Sequence, residues 1–316
     1  MLLATALAAG TSCGGTDVST ADAGPLVAFN AGSLARPLRA ALDTFARREG
    51  VRVDQESAGS LETARKLTEL GKRPDIVALA DAEVFPGYLM PAHVSSYVEF
   101  ARNRMVLAYT DRSRFASEVT PETWWRIALR PGVEIGRSDP ELDPNGYRTL
   151  LVWQLAERHY GEAGLSERLL AASPARNVRP KEADLIGLLQ AGEFDYIWSY
   201  ESIARATGLR YVTLPEEIDL SRADLADAYA AVSVQVRGAR PGETVVFRGQ
   251  PIVYGFAVPD SAPHPMLAAR FAAFLLSDEG KAILRAEGLD ALDIPRLHGA
   301  PVGWMPASPD MHVTPP

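Results

Sequence analysis

Apolar residues in this chain fall into short runs, and stretches with helical spacing separate them. Leu26–Phe29 (LVAF) reads as a strand that ends at Asn30. In the following Arg36–Arg48, Leu38, Leu42 and Phe45 recur at the spacing of one helix face. Val51 and Val53 alternate with polar neighbours, as in a strand. A helix is predicted over Glu62–Leu70 and closed by Gly71, and Ile76–Ala80 (IVALA) reads as a buried strand. This alternation predicts an α/β fold built on a parallel, doubly wound sheet.

The same reading continues along the chain. Met105–Tyr109 and Val133–Gly136 are predicted strands, with Trp124 and Trp125 in a short helix between them. Next come a loop over Ser138–Arg148 and a helix to about Tyr160, which carries Leu151 and Leu155 on one face. A helix at Ala183–Gln190 leads through Gly192 to a strand at Asp195–Ser199. Ile252–Val258 is a late apolar strand, followed by helices at Pro265–Leu276 and Asp278–Ala286. The chain from about Gly299, rich in proline and small residues, reads as an irregular tail. A length of 316 residues exceeds one hydrophobic core, so two lobes are expected.

An apolar fraction of 47% is that of a globular protein, and a net charge of −8 without a basic stripe argues against a nucleic-acid partner. Cys13 is the one cysteine, so no internal disulfide forms. It follows a short apolar, small-residue segment that reads as an export signal and is too short to span a bilayer. Gly14, Gly15 and a polar run to Gly24 come after it. That arrangement resembles a bacterial lipoprotein signal with Cys13 as the lipidated residue and 1–24 as signal and tether. A plain cleaved signal is the alternative. The histidines show no HxH or HExxH spacing, and the chain lacks a G-x-S-x-G elbow, a P-loop and a G-x-G-x-x-G turn. Ser33 and Ser60 have no histidine base in their segments. A hydrolase is therefore a remote reading, and no enzyme is expected.

The tetrapeptide AGSL occurs at Ala31–Leu34 and again at Ala58–Leu61, each time between a predicted strand and a predicted helix. Unpaired N–H groups and the positive end of a helix dipole attract anions there. Glycine permits close approach, and serine adds a hydroxyl donor. Two such turns on neighbouring strands would form two sides of one anion cradle. Serine is also a preferred helix cap, and each turn taken alone fits capping better. Asp143–Gly146 (DPNG) is a third helix entry, but Asp139, Glu141 and Asp143 are unusual company for an anion, and a solvated turn fits it too.

Several segments together resemble one family, the tungstate/molybdate-binding proteins of ABC importers in their archaeal and related bacterial form. They are AGSL at Ala31, ESAGS at Glu56, RKLTELGKRPDIVALAD at Arg65–Asp81, FARNRMVLAYT at Phe100–Thr110 and GRSDPELDPNGYR at Gly136–Arg148. EADLIGLLQAGEFDYIWSYESIA at Glu182–Ala204, YVTLPEEIDL at Tyr211 and PIVYGFAVP at Pro251 complete the set. The resemblance implies a type II periplasmic-binding-protein fold. Lobe 1 would hold 25–108 and 255–300, lobe 2 would hold 109–254, and 301–316 would be the tail. MVLAY and IVYGFAV would be the crossover strands. The implied ligand groups are Gly32, Ser33, Ser60, Asp143 with the backbone at Pro144–Asn145, Glu182 and Tyr200. Asn145 stands where a cysteine is frequent in the family. The three hydroxyls would donate to the oxyanion's oxygens, while Asp143 and Glu182 would each give one oxygen to the Mo or W centre. Glu182 alone also fits a helix N-terminal acid, and Tyr200 alone a packed aromatic. The implied protein is an exported, lipid-anchored, monomeric binder without a cofactor, which delivers tungstate or molybdate to a membrane permease. A binder of a sulfate-like oxyanion is the nearest rival. A ferric-ion binder of the same fold would be expected to present paired tyrosines.

Overall fold

The structure is a computed structural model that describes residues 24–240 and 242–299 and the backbone of 312–314. Cys13 and the tether before Gly24 lie outside the described residues. Along the chain, β1 (Leu26–Ala31) passes through a 3-10 turn (Gly32–Leu34) into α1 (Ala35–Glu49). Then β2 (Val53–Ala58) enters α2 (Ser60–Thr68), followed by β3 (Ile76–Leu79) and β4 (Ser96–Arg102). A second unit contains β5 (Met105–Tyr109), α3 (Trp124–Ala128), β6 (Ile135–Ser138), α4 (Pro144–Tyr160) and α5 (Leu165–Ala172). It continues with β7 (Val178–Arg179), α6 (Ala183–Ala191), β8 (Tyr196–Tyr200), α7 (Glu201–Ala206) and β9 (Arg210–Thr213). After α8 (Ala226–Tyr229), the hairpin β10 (Ser233–Arg237) and β11 (Thr244–Arg248) precedes the return strand β12 (Val253–Ala257). The chain ends in α9 (Pro265–Leu276), α10 (Asp278–Ala286), β13 (Asp290–Gly299) and β14 (His312–Thr314).

Two large sheets result, of order β14-β13-β4-β12-β3-β1-β2 and β7-β6-β8-β5-β9, beside the two-stranded sheet of the β10-β11 hairpin. Each large sheet is mixed rather than wholly parallel. The parallel parts are β2-β1-β3 and β13-β14 in the first sheet and β7-β6-β8 in the second. β12 re-enters between β3 and β4 antiparallel to both, because it arrives from the second lobe without a crossover helix. Met105–Tyr109 lies wholly in the second sheet and Val253–Ala257 in the first, so the chain crosses just before one and just before the other. Within the expected irregular tail, His312–Thr314 instead forms a short strand parallel to β13. Its backbone N–H and C=O groups gain partners on an edge strand. The rest of the tail lies outside the described residues.

Local chemistry explains the elements nearest the cleft. Leu38, Ala41, Leu42 and Phe45 form the buried stripe of α1, and Gly50, at φ 67°, ends that helix in the left-handed region. Phe45 packs against Phe271 and Phe274 of α9, at ring-centroid distances of 5.3 and 5.8 Å. Helix α4 begins inside the stretch read as a loop. Asp143 caps it by accepting from Asn145 N, and Pro144 supplies a preset φ at the first turn. Leu185 and Leu189 of α6 pack with Val106, Ala108, Phe194 and Ile197 on one face of the second sheet, which fixes where Glu182, just before α6, arrives.

Asn103 occupies the first crossing. Its Nδ2 donates to Ser202 Oγ at 2.7 Å and to Tyr254 Oη at 2.9 Å, and its N–H donates to Ile252 O of the second crossing at 3.3 Å. Far from the cleft, the buried Asp75 carboxylate accepts from Val27 N at 2.9 Å and His264 N at 2.6 Å. Asp75→Ala leaves both donors unsatisfied, so chemical denaturation is expected to show a loss of about 2–4 kcal/mol.

Candidate functional site

The first residues of the twin tetrapeptides face one another across the sheet: Ala31 of β1 pairs with Ala58 of β2. Both turns therefore leave parallel strands at the same level. Ser33 and Ser60 are both buried, and neither caps its helix. Ser33 Oγ instead accepts from Tyr254 Oη at 3.1 Å, and Ser60 Oγ accepts from Ala80 N at 3.0 Å. On the second sheet, Asp143 follows β6, Glu182 follows β7 and Tyr200 ends β8. Ligand groups in open α/β sheets collect at the carboxyl ends of parallel strands, and all of these residues lie there.

The two lobes meet across that edge. Leu142 O accepts from Leu61 N at 3.1 Å and Glu62 N at 3.2 Å, so a carbonyl of the second lobe occupies the first N–H groups of α2. These donors, expected from the sequence to serve an anion, are engaged here by the opposite lobe. Gly59 lies under the same carbonyl. A Cβ placed on it would meet Leu142 O at 2.1 Å. Gly32 approaches Ala183, with its ideal Cβ position 3.9 Å from the alanine Cβ. At the rim, Arg65 donates to Glu141 O and to Arg237 O.

Asp143 and Glu182 are buried together. Asp143 Oδ1 accepts from Asn145 N at 3.2 Å, and Oδ2 accepts from Glu182 N at 2.8 Å. Pro144 has no N–H to offer, and the Asn145 N–H is the one taken by Asp143. Burial pushes the Asp143 carboxyl up to about 6, against the opposing effect of these N–H donors. Glu182 Oε1 accepts from Ser199 Oγ and Tyr200 N, both at 2.6 Å, while Oε2 is buried without a hydrogen-bond partner. Burial and then the Asp143 charge hold the Glu182 carboxyl well above the usual range. Its carboxylate does not cap α6. Asp139 and Glu141, the other acids of the loop, are only half-buried.

Tyr200 is fully buried, and its ring meets Tyr254 edge-on at 6.1 Å. Its hydroxyl accepts from Arg148 Nη1 at 2.8 Å. Burial raises both phenols, so each keeps its proton. A common pattern emerges at Ser33, Ser60 and Tyr200. A donor holds a lone pair of each oxygen, which leaves the hydroxyl hydrogen for an acceptor elsewhere. Arg148, Asp81 and Tyr254 belong to this site although sequence reasoning did not single them out. Arg148 and Asp81 stood inside quoted motifs as ordinary charges, and Tyr254 stood inside an apolar strand. The one available signal was the acidic, basic and aromatic residues of those motifs falling beside strand ends.

Two α/β lobes joined by two chain crossings and closed over a polar cleft define the type II periplasmic-binding-protein fold. The periplasmic molybdate-binding protein of Azotobacter vinelandii shares it, with a TM-score of 0.59 and 17% identity over 84% of this chain and 98% of that one. The chain belongs to the bacterial extracellular solute-binding protein family, whose model matches residues 26–290. An uncharacterized solute-binding protein of Petrotoga mobilis is 42% identical over 273 residues, covering 86% of this chain and 85% of that one. The molybdate/tungstate-binding protein WtpA of Pyrococcus abyssi is 37% identical over 301 residues, covering 87% and 86%. Among the described residues no helix is long and apolar enough to cross a membrane.

Proposed function

We propose that this protein captures molybdate or tungstate in the cleft between its lobes and delivers it to an ABC permease. The observation that carries this reading is the buried Asp143–Glu182 pair, with one carboxylate oxygen unpartnered, at a cleft whose two facing strand edges also bear three hydroxyls with hydrogens to give. Ser33, Ser60 and Tyr200 would bind the outer oxygens. Asp143 and Glu182 would approach the metal, raising a tetrahedral oxyanion toward six-coordination. Molybdenum and tungsten have room for two more oxygens, whereas sulfur and phosphorus in sulfate and phosphate do not readily take them. The same carboxylates repel those common anions, so one pair of side chains gives both affinity and discrimination.

The other readings fit less well. A ferric-ion site needs deprotonated phenols, and burial favours the neutral form of both Tyr200 and Tyr254. The protein acts by binding and release, as a monomer whose lobes hinge on the two crossings. Export, with lipidation at Cys13, would hold it near its permease. Molybdate or tungstate at 100 times its Kd is expected to stabilise the fold by about 2.7 kcal/mol and raise Tm accordingly. Sulfate and phosphate at equal concentration should leave Tm within a degree or so of the ligand-free value. Differential scanning calorimetry makes the comparison, and equal shifts for sulfate would refute the discrimination.

A further inference from the structure

We propose that Arg148 is a positioning residue that ties ligand capture to lobe closure, orienting Tyr200 in its own lobe while gripping Ala80 and Asp81 of the other. This rests on reading the cleft as the oxyanion site. The Arg148 side chain is 2% exposed. Its Nη1 donates to Ala80 O at 2.6 Å and to Tyr200 Oη at 2.8 Å, and its Nη2 lies 3.1 Å from Asp81 Oδ2. Tyr147, the preceding residue on α4, donates its hydroxyl to the same Asp81 oxygen. Two neighbouring residues of one helix thus converge on one carboxylate across the cleft.

The Ala80 backbone extends the link. Its carbonyl accepts from Arg148, and its N–H donates to Ser60 Oγ. Arg148 therefore acts directly on one ligand hydroxyl and, through a single residue, on another in the opposite lobe. A planar guanidinium can hold these acceptors together, whereas an ammonium presents a different donor geometry. Opening the lobes separates Arg148 from Ala80 and Asp81 and returns the charges to water. Closing them desolvates both charges, which offsets much of their attraction. The pair is accordingly a weak drive for closure by itself, but breaking it is a step that a trapped ligand must wait for. Its influence falls on dissociation, since encounter with the open cleft precedes its formation.

Stopped-flow tryptophan fluorescence with tungstate tests this in the wild-type chain, Arg148→Met, Arg148→Lys, Asp81→Asn and the Arg148→Met/Asp81→Asn double variant. Arg148→Met is expected to raise the dissociation rate about 10–100-fold and change the association rate less than about threefold. Asp81→Asn should raise dissociation in the same direction. The double variant should be little worse than Arg148→Met, because the two share an interaction. Arg148→Lys should recover only part of the loss. If Arg148→Met does not fold, the near-isosteric Asp81→Asn carries the test. Unchanged dissociation in the folded single variants, or effects that add in full, overturns this inference alone. A wild-type chain that binds neither metalate overturns the oxyanion reading and this inference together.

Discussion

Gly59→Ala is expected to weaken metalate binding about 100-fold or more in titration calorimetry and leave the ligand-free protein folded with a near-normal Tm. The added methyl would sit 2.1 Å from Leu142 O and 2.8 Å from Leu142 C. Both atoms are backbone, so neither has a rotamer to move away, and relief requires the lobes to part. Overpacking of this kind costs about 1–3 kcal/mol even where neighbours can shift. Gly59 itself has extended backbone angles, φ −66° and ψ 151°, which alanine adopts freely. The penalty therefore falls on the closed form and not on the lobe that carries the residue. Small-angle scattering provides the second readout. Tungstate should compact the wild-type protein and leave the variant expanded; compaction of both, with equal affinity, would contradict the account.

Glu182→Gln is expected to move stability and binding in opposite directions. The carboxyl of Glu182 is raised in the fold, so the folded state holds a proton that the unfolded chain has already released. Stability from this group is present at low pH and falls as pH climbs from the ordinary glutamate value through the raised one. Asp143 behaves the same way between 3.8 and about 6. Replacing Glu182 with a neutral amide removes its share of this loss. The ligand-free variant should melt above the wild type near pH 8 and converge with it near pH 4, as followed by calorimetry across that range. The amide oxygen can still accept from Ser199 and Tyr200 N, but it no longer offers a carboxylate to the metalate. Affinity for tungstate should fall about 100-fold, in keeping with the 2–5 kcal/mol lost when a buried charged partner is removed. A variant that is both less stable near pH 8 and equally tight would refute the assignment of Glu182.

Much of this architecture was legible in the sequence because the signals were local. Pro265–Leu276 and Asp278–Ala286 are helices with the bounds read from the sequence, and Ser277 caps the second by accepting from Gly280 N. The repeated AGSL marked two turns that the sheet sets side by side. Other elements were hidden. β13 contains Asp293, Pro295 and Arg296, and its pairing with β4 breaks register between Ala291 and Arg296, so no clean alternation survives. The contribution of Arg148 depends on acceptors at Ala80 and Asp81, more than sixty positions away. Periodicity has no access to such a pairing. The same limit concealed the Leu142 carbonyl over α2, because it exists only where two separately folded units touch.

Asn103 bonds the hydroxyl of Tyr254, and Tyr254 in turn bonds Ser33. The pivot and the grip are thus members of one short relay of hydrogen bonds. A substitution at the bend would be felt by the cargo without touching it, so the protein has little freedom to retune how far it opens while keeping how tightly it holds.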